Sequence, residues 1–314
     1  MKRLERVPEL RLRDFIEGDT QLRNAFIEDL YQGLKYFGFI ILKDHPIPLE
    51  LLNKAYEQSE ALFKLREYQK LQYTCKEGGG QRGYTPFGRE HAKDAEVMDL
   101  KEFWHVGQEL REDHEFNKFY PKNIWPGELP EFKETFLKMY RELEQAGKII
   151  LHALTFSLGV PENYFSNMVQ DGNSILRLLH YPPIPDSADP RCIRAAAHED
   201  INLITILVSA SANGLELLDR DGKWLPIETD PNNLIVDAGD MLSRITNEVI
   251  PATTHRVVNP DDKNTHRYSM PFFMHPHPEA ILSCIESCKG EGAKYKDITS
   301  HDFLMERLRE IGLM

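Results

Sequence analysis

The chain has 314 residues, 41% of them hydrophobic and 28% charged, an ordinary globular balance that leaves no long disordered part to expect. Its 38 basic and 50 acidic residues give a formal net charge of −12, so the surface as a whole is not built to collect nucleic-acid phosphates or anionic lipid. The opening MKRLERVPEL has no apolar core of a signal peptide, and no run approaches the ~18 apolar residues of a membrane span. Cys75, Cys192, Cys284 and Cys288 show neither C-x-x-C nor regular spacing, so free thiols in the cytoplasm are expected rather than a disulfide or zinc framework. No nucleic acid, membrane or obligate protein partner is expected.

In chain order, LRNAFIEDLYQGLKYF predicts a helix from about Gln21 to Phe37, with Phe26, Leu30, Leu34 and Phe37 on one face and Gly38 ending it. FIIL, Phe39 to Leu42, reads as a buried strand closed by KDHPIP. Helical periodicity returns from Leu49 to Lys70. The glycine-rich EGGGQRGYTPFG, Glu77 to Gly88, reads as a loop, and it lacks the Gly-Lys-Ser/Thr of a phosphate loop. Its Tyr84 and Phe87 either cover a pocket or anchor the loop to the body. A second long helix is predicted from Glu131 to Leu158, before Gly159 and Pro161.

After Asn173 come short β-branched and aromatic segments cut by glycine, proline, aspartate and asparagine, the pattern of an antiparallel barrel or jelly roll. A last helix follows from Thr299, with Phe303, Leu304, Leu308 and Ile311 on one side. The expected fold is mainly β with flanking helices, in one unit. Residues 1–172 form a helical elaboration with associated strands and a variable loop, 173–282 the main part of the jelly-roll core, and 283–314 a helical end.

The strongest local feature is AAAHEDINLITIL. In extended chain, the i and i+2 relation projects His198 and Asp200 to one face and turns Glu199 away. His255 in ATTHRVV, 55 residues after Asp200, opens another strand-like run. Two imidazoles and a carboxylate leave one side of a metal open, the arrangement of non-haem iron(II) oxygenases. An H-x-D triplet alone is equally a surface ion pair, and HPHP, His275 to Pro278, shows the same spacing in what reads as an ordinary loop. Independent support comes from RYSMPFF, where Arg267 and Ser269 again stand at i and i+2, a guanidinium fork and a hydroxyl suited to a carboxylate. Tyr181 in RLLHYPPIP can add its phenol to the same anion.

The blocks FGFIILKDHPI, RLLHYPPIP, HEDINLITIL, GLELLDRDGKWLPI, NNLIVDAGDMLSRIT, HRVVNP and RYSMPFF follow one another over nearly the whole chain. In this order they resemble the isopenicillin N synthase-like branch of the iron(II) and 2-oxoglutarate-dependent oxygenases. The resemblance implies a distorted double-stranded β-helix with iron(II) held by His198, Asp200 and His255. It implies that Arg267, Ser269 and Tyr181 receive the distal carboxylate of 2-oxoglutarate, with molecular oxygen as the second cosubstrate. The chain departs from the branch at Leu179, where asparagine is common, and at His180, which replaces the first of an aromatic pair. Residues 82–107 resemble a variable substrate-facing region, which makes Arg82, Tyr84 and Phe87 candidate contacts. The expected reaction couples decarboxylation of 2-oxoglutarate to hydroxylation or another two-electron oxidation of a small organic substrate. Two alternatives stay open at this point: an isopenicillin N synthase-like oxidase using no 2-oxoglutarate, and a non-catalytic barrel that binds a metal or small acid.

Overall fold

The computed structural model describes residues 6–75, 81–89 and 98–310, apart from 187, 190, 209, 212, 263 and 264. The predicted positions Glu77 to Gly80, residues 90–97 of the substrate-facing region, and Ile311 therefore lie outside the described residues.

The chain opens with β1 (Glu9–Arg11), α1 (Leu12–Ile16), α2 (Thr20–Phe37), β2 (Phe39–Lys43), α3 (Leu49–Phe63), α4 (Glu67–Leu71), β3 (Gly83–Thr85) and β4 (Glu102–Gly107). Helices α5 (Phe132–Leu158) and α6 (Tyr164–Val169) then lead into β5 (Ile175–Tyr181), β6 (Ala195–His198), β7 (Ile204–Val208), β8 (Leu215–Leu218) and β9 (Trp224–Pro226). The last elements are β10 (Leu234–Ala238), α7 (Asp240–Ile245), β11 (His255–Val257), β12 (Arg267–Met274) and α8 (Ser300–Glu310).

Helix α2 forms as its periodicity predicts. The Asp19 carboxylate accepts the Leu22 N–H at 2.9 Å, capping its start, and Gly38 ends it at φ 67°. A side chain at Gly38 would be doubly opposed, by that dihedral and by Thr253, whose Oγ1 lies 2.2 Å from the Cβ position. The helix expected from Leu49 to Lys70 is instead two, α3 and α4. The apolar face of α3 runs out at Phe63, and Arg66 adopts extended backbone to begin a new cap, its N–H bonded to Gln69 Oε1 at 3.2 Å. Part of the segment read as loop is ordered as β3, paired antiparallel with β4.

Two sheets face each other. The larger has eight strands in the order β1-β2-β10-β7-β12-β5-β4-β3, and the smaller four in the order β6-β11-β8-β9. Only β1 and β2 are parallel among these described pairs. Side-chain alternation splits each central strand of the large sheet between two environments. Leu176, Leu178, Ile204, Ile206, Met270 and Phe272 pack outward against the helices. Leu179, Tyr181, Thr205, Leu207, Arg267 and Ser269 point inward to a cavity between the sheets.

Helix α5 closes the outer face, with the Tyr140 ring edge-on to Phe272 at 5.0 Å. Gly147 lets it approach, since a Cβ there would lie 2.4 Å from Met274 Sδ. Cutting one such buried aromatic to alanine costs about 3–5 kcal/mol, so this packing fixes the sheet that carries the site. No helix among the described residues is long and apolar enough to cross a membrane.

Candidate metal and cosubstrate site

Strand β6 ends at His198 and β11 begins at His255, and the two residues are partners in antiparallel register. Asp200 stands two residues past the end of β6. Its Oδ1 lies 3.8 Å from His198 Nε2 and 4.0 Å from His255 Nε2, and one ligand atom from each of the three residues falls within 4.8 Å of the others. His198 Nδ1 is 2.7 Å from the Ala196 carbonyl, and His255 Nδ1 is 3.1 Å from that of Thr253. A carbonyl only accepts, so both rings carry hydrogen on Nδ1 and present the Nε2 lone pair toward Asp200. Glu199 is turned away, its Oε1 accepting the Thr254 hydroxyl. Two nitrogen lone pairs and one carboxylate oxygen, converging at the edge of a cavity, fit a divalent metal that keeps positions open for exogenous ligands.

A second layer holds these donors. Thr205 donates its hydroxyl to Asp200 Oδ2 and accepts from Asn202 Nδ2 at 2.9 Å. Although burial pushes the Asp200 carboxyl up, the two imidazoles and this hydroxyl prevail and hold it below its ordinary value. Asp237, 4% exposed and opposite Thr205 in the β10–β7 pairing, hydrogen-bonds to Asp200. Burial first, then the charge on Asp200, raises Asp237 well above the usual carboxylate range. Burial, then the facing His255, lowers His198 to about 4, so its ring is a neutral ligand at pH 7. The sequence carried a signal for Asp237, a lone acid inside the apolar run LIVDA, and none specific to Thr205 or Asn202.

The proposed anion clamp assembles on neighbouring strands. Arg267 and Ser269 on β12 are in register with Tyr181 and Leu179 on β5, and all four line the cavity. Arg267 is 2% exposed, with Cζ 5.0 Å from the Tyr181 ring centroid. Pro271, also on the wall, interrupts the β12–β5 ladder opposite Leu178 and Arg177, because proline has no N–H to give. Arg177 and Lys101 are further cations on the wall. Arg177 donates to His105 Nε2 at 2.6 Å and lies over Phe103 at 4.3 Å, while Lys101 pairs with Asp99 at 2.8 Å.

The two departures separate in space. Leu179 forms part of the cavity wall, whereas His180 lies on the opposite face, between Glu102 Oε1 at 2.7 Å and His266 Nδ1 at 2.8 Å. The structure does not bring Arg82, Tyr84 and Phe87 to the cavity. Tyr84 points to the helix side and donates to Glu102, Arg82 is fully buried against Gly107, and Phe87 is 40% exposed. The alternation of β3 against β4 is the reason: Tyr84 pairs with Trp104, which faces the helices. His275 is likewise apart from the triad, buried in the loop after β12 with Nδ1 3.2 Å from the Phe273 carbonyl.

Comparison with known proteins agrees with this geometry. Residues 7–128 match the family described as "non-haem dioxygenase in morphine synthesis N-terminal", and residues 172–276 match "2OG-Fe(II) oxygenase superfamily". A crystal structure of a 2OG-Fe(II) oxygenase family protein from Caulobacter crescentus shares 40% identity over 97% of this chain and 99% of its own, with a TM-score of 0.88. This chain belongs to the 2OG-Fe(II) oxygenase superfamily. A Neurospora crassa oxygenase crystallised with alpha-KG and thymine is 30% identical over 96% of each chain, with a TM-score of 0.86. Among curated relatives, a 2-oxoglutarate-Fe(II) type oxidoreductase of Emericella nidulans is 29% identical over 95% of this chain and 88% of its own. A proline hydroxylase of Petromyces alliaceus is 30% identical over 94% and 96%. The protein is thus an iron(II) dioxygenase that uses 2-oxoglutarate and molecular oxygen, on the jelly-roll fold of the superfamily. Of the three readings open at the sequence, the 2-oxoglutarate-using oxygenase is the supported one.

Proposed function

We propose that His198, Asp200 and His255 are the iron ligands of this oxygenase, that Arg267, Ser269 and Tyr181 seat the distal carboxylate of 2-oxoglutarate, and that a small organic molecule is oxidised in the cavity beside them. The observation that carries this reading is the shared cavity wall: the triad and the Arg267, Ser269 and Tyr181 cluster line one enclosure between the two sheets. Iron(II), when bound, supplies the redox chemistry by which oxygen and 2-oxoglutarate oxidise the substrate.

The chain's own residues bind and orient. Backbone carbonyls fix both imidazole tautomers, Thr205 and Asp237 fix the Asp200 carboxylate, and the buried Arg267 offers charge-assisted hydrogen bonds to an anion of defined reach. Arg177 adds positive potential to the wall, which favours a substrate with an acidic or strongly electron-rich group. The order of the sequence blocks supports placement in the isopenicillin N synthase-like branch. The free cysteines fit a reducing compartment such as the cytoplasm.

The test is a metabolite-pool screen with iron(II), oxygen and labelled 2-oxoglutarate, reading labelled succinate together with mass changes of about +16 or −2 on a pool member. Succinate release that depends on both iron and a pool component supports the reading. Substrate oxidation that continues without 2-oxoglutarate overturns the role of Arg267, Ser269 and Tyr181.

A further inference from the structure

The cavity has a second cationic point, away from the clamp. Arg177 lines the wall four residues before Tyr181 on β5, roughly 13 Å along an extended strand. Against burial, which pushes the Asp200 carboxyl up, its charge joins the two imidazoles and Thr205 in holding that carboxyl down, so Arg177 acts at the metal end of the enclosure.

Three side chains fix the guanidinium. Strand β5 lies between β4 and β12, and each neighbour supplies a ring, Phe103 from β4 at 4.3 Å from Cζ and Phe273 from β12 at 5.2 Å. His105, the register partner of Arg177 on β4, accepts from its Nε at 2.6 Å. Only an unprotonated ring nitrogen accepts, so His105 holds Arg177 through a bare Nε2. The five N–H donors of a guanidinium lie in its plane, so a partner in the cavity meets it along the edge, by hydrogen bonds and not by stacking.

Holding strands together does not account for this residue. Strands β4 and β5 already pair in continuous register from Glu102–His180 to Gly107–Ile175, and the cavity-facing neighbours Leu179 and Phe273 are apolar. An apolar side chain at position 177 would pack among them without the cost of drawing a cation out of water. A cation kept at the metal end of that wall has its use in the charge of a bound molecule.

We propose that Arg177 anchors an anionic group of the primary substrate, a carboxylate above all, and that His105 is the positioning residue that holds the guanidinium for it. This deepens, and rests on, the reading of the cavity as the place where a small organic molecule is oxidised. It narrows the substrate class to small organic acids, held at one cationic point while 2-oxoglutarate takes the other.

The experiment separates a metabolite pool on an anion-exchange resin at neutral pH into a retained acidic fraction and a flow-through of neutral and cationic compounds. Each fraction is added to iron-loaded protein saturated with labelled 2-oxoglutarate, and labelled succinate above the level without pool is read. The retained fraction is expected to drive succinate release, and the flow-through is not. In Arg177→Gln, the amount of retained fraction needed for half-maximal release should rise roughly ten- to 150-fold, as for a lost charge-assisted hydrogen bond, with the 2-oxoglutarate requirement unchanged. Arg177→Lys, which keeps the charge, should recover part of the loss and serves if the glutamine variant does not fold. His105→Leu should shift the requirement in the same direction, while His105→Gln, whose amide oxygen accepts from Nε, should stay near wild type. Release driven by the flow-through overturns the substrate class, and an unchanged requirement in the Arg177 variants overturns the anchor. Equal behaviour of the two His105 variants removes its positioning role. Wild-type protein that responds to neither fraction would instead remove the reading of a pool molecule oxidised in the cavity, and this inference with it.

Discussion

His198 and His255 face each other across the β6–β11 pair with ring centroids 4.4 Å apart, and each directs Nδ1 at the carbonyl two residues before it in the chain. The same local device thus sets both tautomers, and the two Nε2 atoms converge on Asp200 without a side-chain partner to orient them.

Asp200 is the only charged oxygen in that trio. Asp200→Ala is expected to abolish most iron-dependent turnover and weaken iron binding, and His198→Ala and His255→Ala should behave alike. Near-normal iron affinity in Asp200→Ala, measured by anaerobic titration with metal analysis, would remove the triad assignment.

Thr205→Val keeps the shape of the side chain but takes away the hydroxyl that Asp200 Oδ2 receives, leaving Asn202 Nδ2 without its acceptor. Loss of a group that orients a metal ligand typically costs about 10–100-fold in metal affinity or activity. Iron affinity should fall within that range while the 2-oxoglutarate requirement at saturating iron stays the same. A variant with wild-type metal affinity would show that Thr205 does not position Asp200.

For Arg267→Leu the pattern reverses. The fork that meets the distal carboxylate is gone, so the 2-oxoglutarate concentration needed for turnover should rise roughly ten- to 150-fold. Iron binding should change little, because Arg267 lies on β12 and outside the trio of ligand atoms. Separate titration of each component into folded variant distinguishes the two requirements.

His275 supplies a pH test of stability. Burial lowers its folded pKa from 6.5 to about 4. A depressed histidine favours the neutral ring, so its contribution is complete above the unfolded value of 6.5 and is lost as pH falls through 6.5 toward 4. The span corresponds to at most about 3 kcal/mol. His275→Gln should therefore have a shallower decline in stability between those limits than the wild type, with iron-dependent turnover retained. Parallel urea-unfolding curves of the two metal-free proteins across that window would refute the shift. Loss of iron dependence would make His275 part of the site.

The local spacing of the chain by itself determined the site's pieces. His198 and Asp200 project together because they are two apart in extended chain, and Arg267 and Ser269 share a wall because strand alternation has period two. The breaks at Gly38 and Gly159 were legible for the same local reason, a left-handed end that glycine adopts freely. The division of Leu49–Lys70 into two helices was not, because the cap that starts α4 is made by Arg66 and Gln69, residues of ordinary helix-forming type.

Tertiary structure alone decided what meets what. His255 reaches His198 only through the β6–β11 pairing, and Thr205, Asp237 and Arg177 become part of the enclosure only because β7, β10 and β5 turn one side of each strand to it. The arginines show the limit most sharply. Sequence context offered Arg82 as a contact, but it is buried against Gly107 and outside the cavity lining, while Arg194, in an unremarked run before the metal motif, lies beside Tyr181. Periodicity specifies which residues of one strand share a face. Which strands then adjoin, and so which buried charge finds which neighbour, is set by pairings between residues far apart in the chain, on which local spacing carries no information.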